Sequence, residues 1–192
     1  MDGYIYFARH GQTDWNVEGR IQGQTDTNLT EVGRNQAIAL RNYFKNIPLD
    51  TVITSDLVRA QETGKVVAES KGISIQTSKL LRERYYGNLE GQFISDYEIF
   101  FKDPSTIDWD ISEENIEEEH EAALRFKRVI ESIAAHRKHV LVVSHAAVLL
   151  AFLKSQFFAE CNSLRIDDIP NGGGWKVART GNVLQLLAQW HI

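Results

Sequence analysis

Arg9, His10 and Gly11 follow directly on the apolar run Tyr4–Ala8. A neutral imidazole is a nucleophile, a guanidinium offers a fork of donors to phosphate oxygens, and glycine permits close backbone approach. These three side by side point to phosphoryl transfer onto His10. The pattern recurs at Val142-Val143-Ser144-His145, where a second histidine ends an apolar run just before a helical stretch. A helix N-terminus at that place favours an anion. Arg59, within Ser55–Thr63, falls about one turn into a helix that follows a strand, so its side chain can return to the sheet edge. Glu83 follows Leu80-Leu81-Arg82 and leads into Tyr86-Gly87 and Glu90-Gly91. A carboxyl group between apolar and aromatic residues is placed to act as a general acid. Singly, each of these reads as a surface charge or a structural histidine. Jointly they bring two arginines, two histidines and a carboxylate to corresponding ends of successive strands.

The elements that must position them are legible from periodicity. Tyr4–Ala8, Thr51–Thr54 and Val140–Val143 are short, β-branched or aromatic runs that read as interior strands. Ile73–Thr77 is a weaker strand, and Trp175–Ala178 with Val183–Trp190 form a terminal pair around Thr180-Gly181-Asn182. Helical spacing runs over Glu31–Lys45 with Thr30 as N-cap, from a cap at Ser55 or Asp56 to Lys71-Gly72, over Glu117–Arg137, and over Ala147–Phe158. Alternating strands and helices predict an α/β fold, a three-layer α/β/α sandwich with a mostly parallel central sheet. Ligands of such sheets bind at the carboxyl ends of the strands. The irregular stretch from Arg84 to Glu121 reads as a small cap inserted into a single domain over residues 1–192.

Composition bounds the function. With 192 residues, 43% of them hydrophobic and 24% charged, the chain can bury a sizeable core. A net charge of −5 argues against a general nucleic-acid binder but not against a small phosphate ligand. The lone cysteine, Cys161, excludes an intramolecular disulfide and a zinc site built from cysteines. Leu141–Leu153 is too short and too interrupted to span a bilayer, and the opening residues run almost directly into a strand. A soluble, cytoplasmic protein without a membrane partner is expected.

These motifs resemble the histidine phosphatase superfamily, in the branch that includes cofactor-dependent phosphoglycerate mutase and many small-molecule phosphatases. The resemblance covers nearly the whole chain. It rests on Arg9-His10-Gly11 with Thr13, Trp15 and Asn16; on Leu29-Thr30-Glu31-Val32-Gly33 with Gln36-Ala37; on Ser55 to Thr63; on Glu83 with Tyr86-Gly87 and Glu90-Gly91; and on Val143-Ser144-His145. It implies that His10 becomes phosphorylated, that Arg9, Arg59 and His145 clamp the phosphoryl group, and that Glu83 protonates the leaving oxygen. Asn16, Gln22 and Gly23 match positions that complete the pocket, and Tyr86 and Ala146 are expected with them among the substrate- and phosphate-binding residues. Fixed cations take the place of a metal, so no metal or other cofactor is expected, and the partner is a small phosphorylated metabolite. Two departures stand out: Ala146 replaces the usual glycine after the second histidine, and no Gly-Glu-Ser element is visible near Ile111–Ile116.

A phosphatase is the favoured activity. A mutase-type phosphotransferase is the alternative, since Arg84-Tyr85-Tyr86-Gly87 is close to the mutases' version of the motif. Against it, Gln92–Asp96 lacks the lysine those enzymes carry, and few cations are available in the cap to retain a phosphorylated intermediate. An inactive sensor of phosphorylated ligands is the third reading, disfavoured because all five core residues are present. Tyr85, Tyr86, Phe93, Tyr97, Phe100, Phe101 and Trp109 make the cap aromatic, while Arg84 and Lys102 are its few cations. An edge strand or the apolar C-terminal region could pair two copies into a homodimer.

Overall fold

A computed structural model describes residues 3–97, 115–134 and 139–192. Six strands form one sheet: β1 (Gly3–Arg9), β2 (Thr51–Ser55), β3 (Ile75–Ser78), β4 (His139–Ser144), β5 (Gly174–Thr180) and β6 (Val183–Trp190), in the order β3-β2-β4-β1-β5-β6. The first four lie parallel, while β5 runs antiparallel to both β1 and β6. The helices are α1 (Asp14–Glu18), α2 (Glu31–Tyr43), α3 (Val58–Lys71), α4 (Glu119–Ala134), α5 (Ala146–Gln156) and the single turn α6 (Phe158–Cys161).

Strand alternation assigns the two faces. Ile5 and Phe7 of β1, with Val140 and Val142 of β4, pack against Phe126 and Ile130 of α4 and Leu149 and Phe152 of α5. The rings of Phe7, Phe126 and Phe152 meet with centroids 4.8 to 5.8 Å apart. Tyr6 and Ala8, with Leu141 and Val143, face Leu40 of α2, its C-cap Phe44, and Ala60, Val67 and Ala68 of α3. A sheet buried on both sides explains why β1, β2 and β4 read as continuous apolar runs. The protein is thus α/β with helices on both faces of a mixed, mostly parallel sheet.

The N-cap of α3 differs from expectation. Neither Ser55 nor Asp56 caps it; Leu57 occupies the N-cap without a side-chain bond. Asp56 is drawn away into an ion pair with Arg82 (2.7 Å), and Asp26 instead accepts from the Val58 N–H (2.8 Å). Thr30 does cap α2, accepting from Gly33 N. The short helix α1 was not anticipated; a capping box between Thr13 and Asn16 starts it. Of the cap stretch, residues 98–114 lie outside the described residues, and with them Phe100, Phe101, Lys102, Trp109 and most of Ile111–Ile116. Its described parts include short 3-10 turns at Gly87–Leu89 and Ile94–Tyr97. Among the described residues no helix is long and apolar enough to cross a membrane.

Candidate active site

Parallel register carries the site. Arg9 lies opposite Ser144 at the ends of β1 and β4, so His10 and His145, one residue beyond, are neighbours. Their ring centroids are 5.1 Å apart, and His10 N donates to Ser144 O (3.0 Å). Gly11 turns the chain close beneath α2: a Cβ there would run into the backbone carbonyl of Gly33. Gly11 N then donates to Thr63 Oγ1 (3.0 Å), tying the loop to α3.

Hydrogen bonding fixes the tautomers. His10 Nδ1 lies 2.7 Å from Gly11 O, and a carbonyl can only accept, so Nδ1 bears the proton and Nε2 keeps the lone pair. Arg59 Nε lies 3.2 Å from His145 Nδ1, and a guanidinium can only donate. His145 therefore carries its proton on Nε2, which is buried without a partner among the described residues. Burial, then the charges of Arg59 and Arg9, hold His10 well below the usual histidine pKa. Burial and Arg59, with His10, Arg125 and Arg9 behind them, do the same for His145. Both rings are neutral at neutral pH.

In the unfolded chain each imidazole takes up a proton below about pH 6.5, whereas the folded protein resists it. More protons bound in the unfolded state means stability rises with pH through that window and levels above it. Chemical denaturation between pH 5 and 7 should give a slope approaching about 1.4 kcal/mol per pH unit for each ring. Replacing His145 by Gln should roughly halve that slope; a flat profile in the parent protein would contradict neutral burial of both rings.

Arg59 is completely buried, yet no carboxylate pairs with it among the described residues. Nη2 donates to Gly23 O (2.7 Å) and Nη1 to Thr25 O (2.8 Å), with Thr27 Oγ1 at 3.5 Å. Burial lowers its pKa to about 10, opposed by Glu83, Asp26 and Glu90, so it remains charged. Arg9 donates from Nη1 to Ile169 O (2.7 Å), its Nε is buried without a partner among the described residues, and it too lacks an ion pair there. A fully buried guanidinium and a half-buried one with its Nε shut away, both unmatched by contacting carboxylates, are costly unless an anion offsets them.

Glu83 is buried and interacts electrostatically with both arginines. Its surroundings are more polar than its apolar sequence neighbours suggest. Its carboxylate accepts from Val148 N (2.8 Å) and Ala147 N (3.1 Å) in the first turn of α5, and from Arg84 N (2.9 Å). Arg125 of α4 braces the segment from behind, donating to the carbonyls of Leu80, Arg82 and Glu83 while paired with Glu117 at 2.6 Å. Ser144 Oγ adds a bond to Leu81 O (2.7 Å).

The remaining candidates divide. Gly23 supplies a carbonyl to Arg59. Gln22 is one step removed, its Oε1 accepting from Thr27 Oγ1 (2.7 Å). Asn16 Oδ1 accepts from Thr13 N and from Asn171 Nδ2, which leaves the Asn16 amide NH2 as its donor group. Ala146 begins α5 and is buried beside His145. Tyr86 packs with Ile21 and Leu89 under Arg84, whose guanidinium carbon lies 5.5 Å from the ring centroid. Sequence reading missed Asn171, which donates to His10 O (3.0 Å) from the loop before β5, and Arg125. Neither carries a local signal, since each reaches the site across a long sequence separation.

A family model described as the histidine phosphatase superfamily (branch 1) matches residues 5–187. The probable phosphoglycerate mutase GpmB of Yersinia pestis is 42% identical over 88 residues, which is 46% of this chain and 41% of that protein, so the match spans under half of the curated relative. Among solved structures, a phosphoglycerate mutase from Bacillus anthracis superposes with a TM-score of 0.84 at 23% identity, covering 97% of this chain and 92% of that one. A mycobacterial glucosyl-3-phosphoglycerate phosphatase gives 0.79 at 23% identity, covering 98% of each. At these identities the likeness to the two structures is one of fold.

Proposed function

The chain belongs to the histidine phosphatase superfamily (branch 1), and on that premise we propose that it hydrolyses a small phosphomonoester through a phosphohistidine at His10. The observation that carries this reading is a neutral imidazole with Nε2 unprotonated, set between a buried guanidinium, Arg59, and a half-buried one, Arg9, that no carboxylate of the described residues contacts. In the first step the Nε2 lone pair forms the N–P bond as the ester P–O bond breaks. Arg9, Arg59 and the His145 Nε2–H stabilise charge on the equatorial oxygens, which is where phosphoryl transfer needs help. Glu83 gives its proton to the departing alkoxide. In the second step Glu83 takes a proton from water, the water oxygen bonds to phosphorus, and the N–P bond breaks to release inorganic phosphate and restore the lone pair. The chain's own fixed charges supply the electrostatics of both steps, so no metal or cofactor is assigned a role.

Mutase-type transfer is the second reading, favoured by the 42% identity to GpmB over 88 residues. A phosphate-release screen over alkyl, sugar and aryl phosphates, run beside an assay of phosphoglycerate interconversion, separates the two. Metal-independent release of inorganic phosphate from at least one small monoester is expected. Efficient isomerisation with negligible hydrolysis would replace this reading with the second.

A further inference from the structure

Glu90 takes no part in the steps above, yet its carboxylate is the most heavily engaged acceptor near the site. Oε1 accepts from Gln24 N (2.9 Å) and Tyr86 N (3.2 Å), and Oε2 accepts from Thr25 N (2.9 Å) and Thr25 Oγ1 (2.6 Å). Four donors saturate what an ionised carboxylate offers. Three of them belong to Gln24 and Thr25, within the loop whose Gly23 and Thr25 carbonyls hold the two Nη atoms of Arg59. We propose that Glu90 is a positioning residue for the phosphate clamp: it fixes the Gly23–Thr25 loop, and through those two carbonyls it sets the direction of the Arg59 guanidinium.

The geometry of Gly23 supports the same link from the other side. Its φ is +51°, and a Cβ there would run into the Glu90 carboxylate, so loop and carboxylate are fitted directly to each other. Bonds from Gly91 N to Ile21 O (2.8 Å) and from Ile21 N to Gln92 O (2.9 Å) lay the Glu90 segment alongside the chain leading into that loop. Of the five N–H donors of a guanidinium, Gly23 O, Thr25 O and His145 Nδ1 engage three, and Thr27 Oγ1 takes a long bond of 3.5 Å from Nη1. The donors left for phosphate oxygens point wherever the loop carbonyls leave them. A shift of the order of 1 Å in such a clamp costs about 100-fold in rate.

Glu90→Gln keeps the shape but places an NH2 group against N–H donors, so the grip on the loop is lost without opening a cavity. This inference rests on Arg59 being a phosphate clamp, and the test keeps the two claims apart. Calorimetric binding of inorganic phosphate and kcat/KM for an aryl phosphate are measured for the parent chain, Glu90→Gln, Arg59→Met and the double variant. Glu90→Gln should weaken phosphate binding about tenfold and lower kcat/KM about 100-fold, yet change either less than about twofold once Arg59 is Met. Gly23→Ala, which displaces the carboxylate from the loop side, should reproduce that Arg59-dependent loss and serves if Glu90→Gln does not fold. Losses of equal size in both backgrounds, or a Glu90→Gln variant within about twofold of the parent, would overturn the inference while leaving the function intact. A parent chain whose phosphate affinity ignores Arg59→Met would instead overturn the clamp itself, and Glu90's role with it.

Discussion

His10→Ala should abolish turnover while leaving the phosphate pocket able to bind. Removing a nucleophile that no neighbour can replace is expected to cost about 10⁵-fold or more in kcat. His145, the nearest other imidazole, has its lone pair on Nδ1 committed to Arg59 Nε, so it offers phosphorus an N–H and not a lone pair. The arginines keep their backbone partners in the variant, and inorganic phosphate should bind within a few-fold of its parent affinity. The fold should lose about 1 to 3 kcal/mol, because the change leaves the buried Gly11 carbonyl without its Nδ1 donor. Rapid quenching of the parent enzyme with a labelled monoester should trap a label that is stable to alkali and labile to acid, and His10→Ala should trap none. Activity near that of the parent in His10→Ala, or label recovered elsewhere, would remove the covalent step.

The candidate nucleophile sits where the chain is easiest to read. Strand ends are locally readable: apolar β-branched runs mark β1, β2 and β4, and the residue after each parallel strand falls at the sheet's functional edge. Arg9-His10 and Ser144-His145 therefore announced themselves, and the register of β1 on β4 does the rest. The helical spacing of α2 and the Thr30 cap were equally plain. What stayed hidden is non-local. Nothing in Gly174–Thr180 alone says that β5 inserts antiparallel between β1 and β6, bringing Asn171 onto the His10 carbonyl. Asp56 looks like a helix cap until Arg82, 26 residues on, claims it. Glu83 looks apolar-flanked in sequence because its three N–H partners come mainly from the start of α5, more than 60 residues away. The motif Glu90-Gly91 was visible without a role, since three of the four donors to Glu90 are backbone N–H groups, which no side-chain pattern encodes.

Glu83→Gln should divide substrates by leaving group. An alkoxide cannot depart without a proton, so hydrolysis of an alkyl or sugar phosphate is expected to fall about 10² to 10⁴-fold, roughly 3 to 5 kcal/mol of transition-state stabilisation. A nitrophenolate leaves unaided, so phosphorylation of His10 by nitrophenyl phosphate should stay near the parent rate. The second step has no such escape, because water must still lose a proton to become the nucleophile. With the aryl ester the variant should therefore release one equivalent of nitrophenolate in a burst and then turn over slowly, with phosphohistidine accumulating. The substitution exchanges a carboxylate oxygen for an NH2 group near Ala147 N and Val148 N, so α5 could be disturbed at its first turn. Phosphate affinity and thermal midpoint close to the parent's would show that turn intact and assign the kinetic change to proton transfer. A uniform loss across both leaving-group classes with no burst would mean that Glu83 places the substrate or α5 and another group carries the proton.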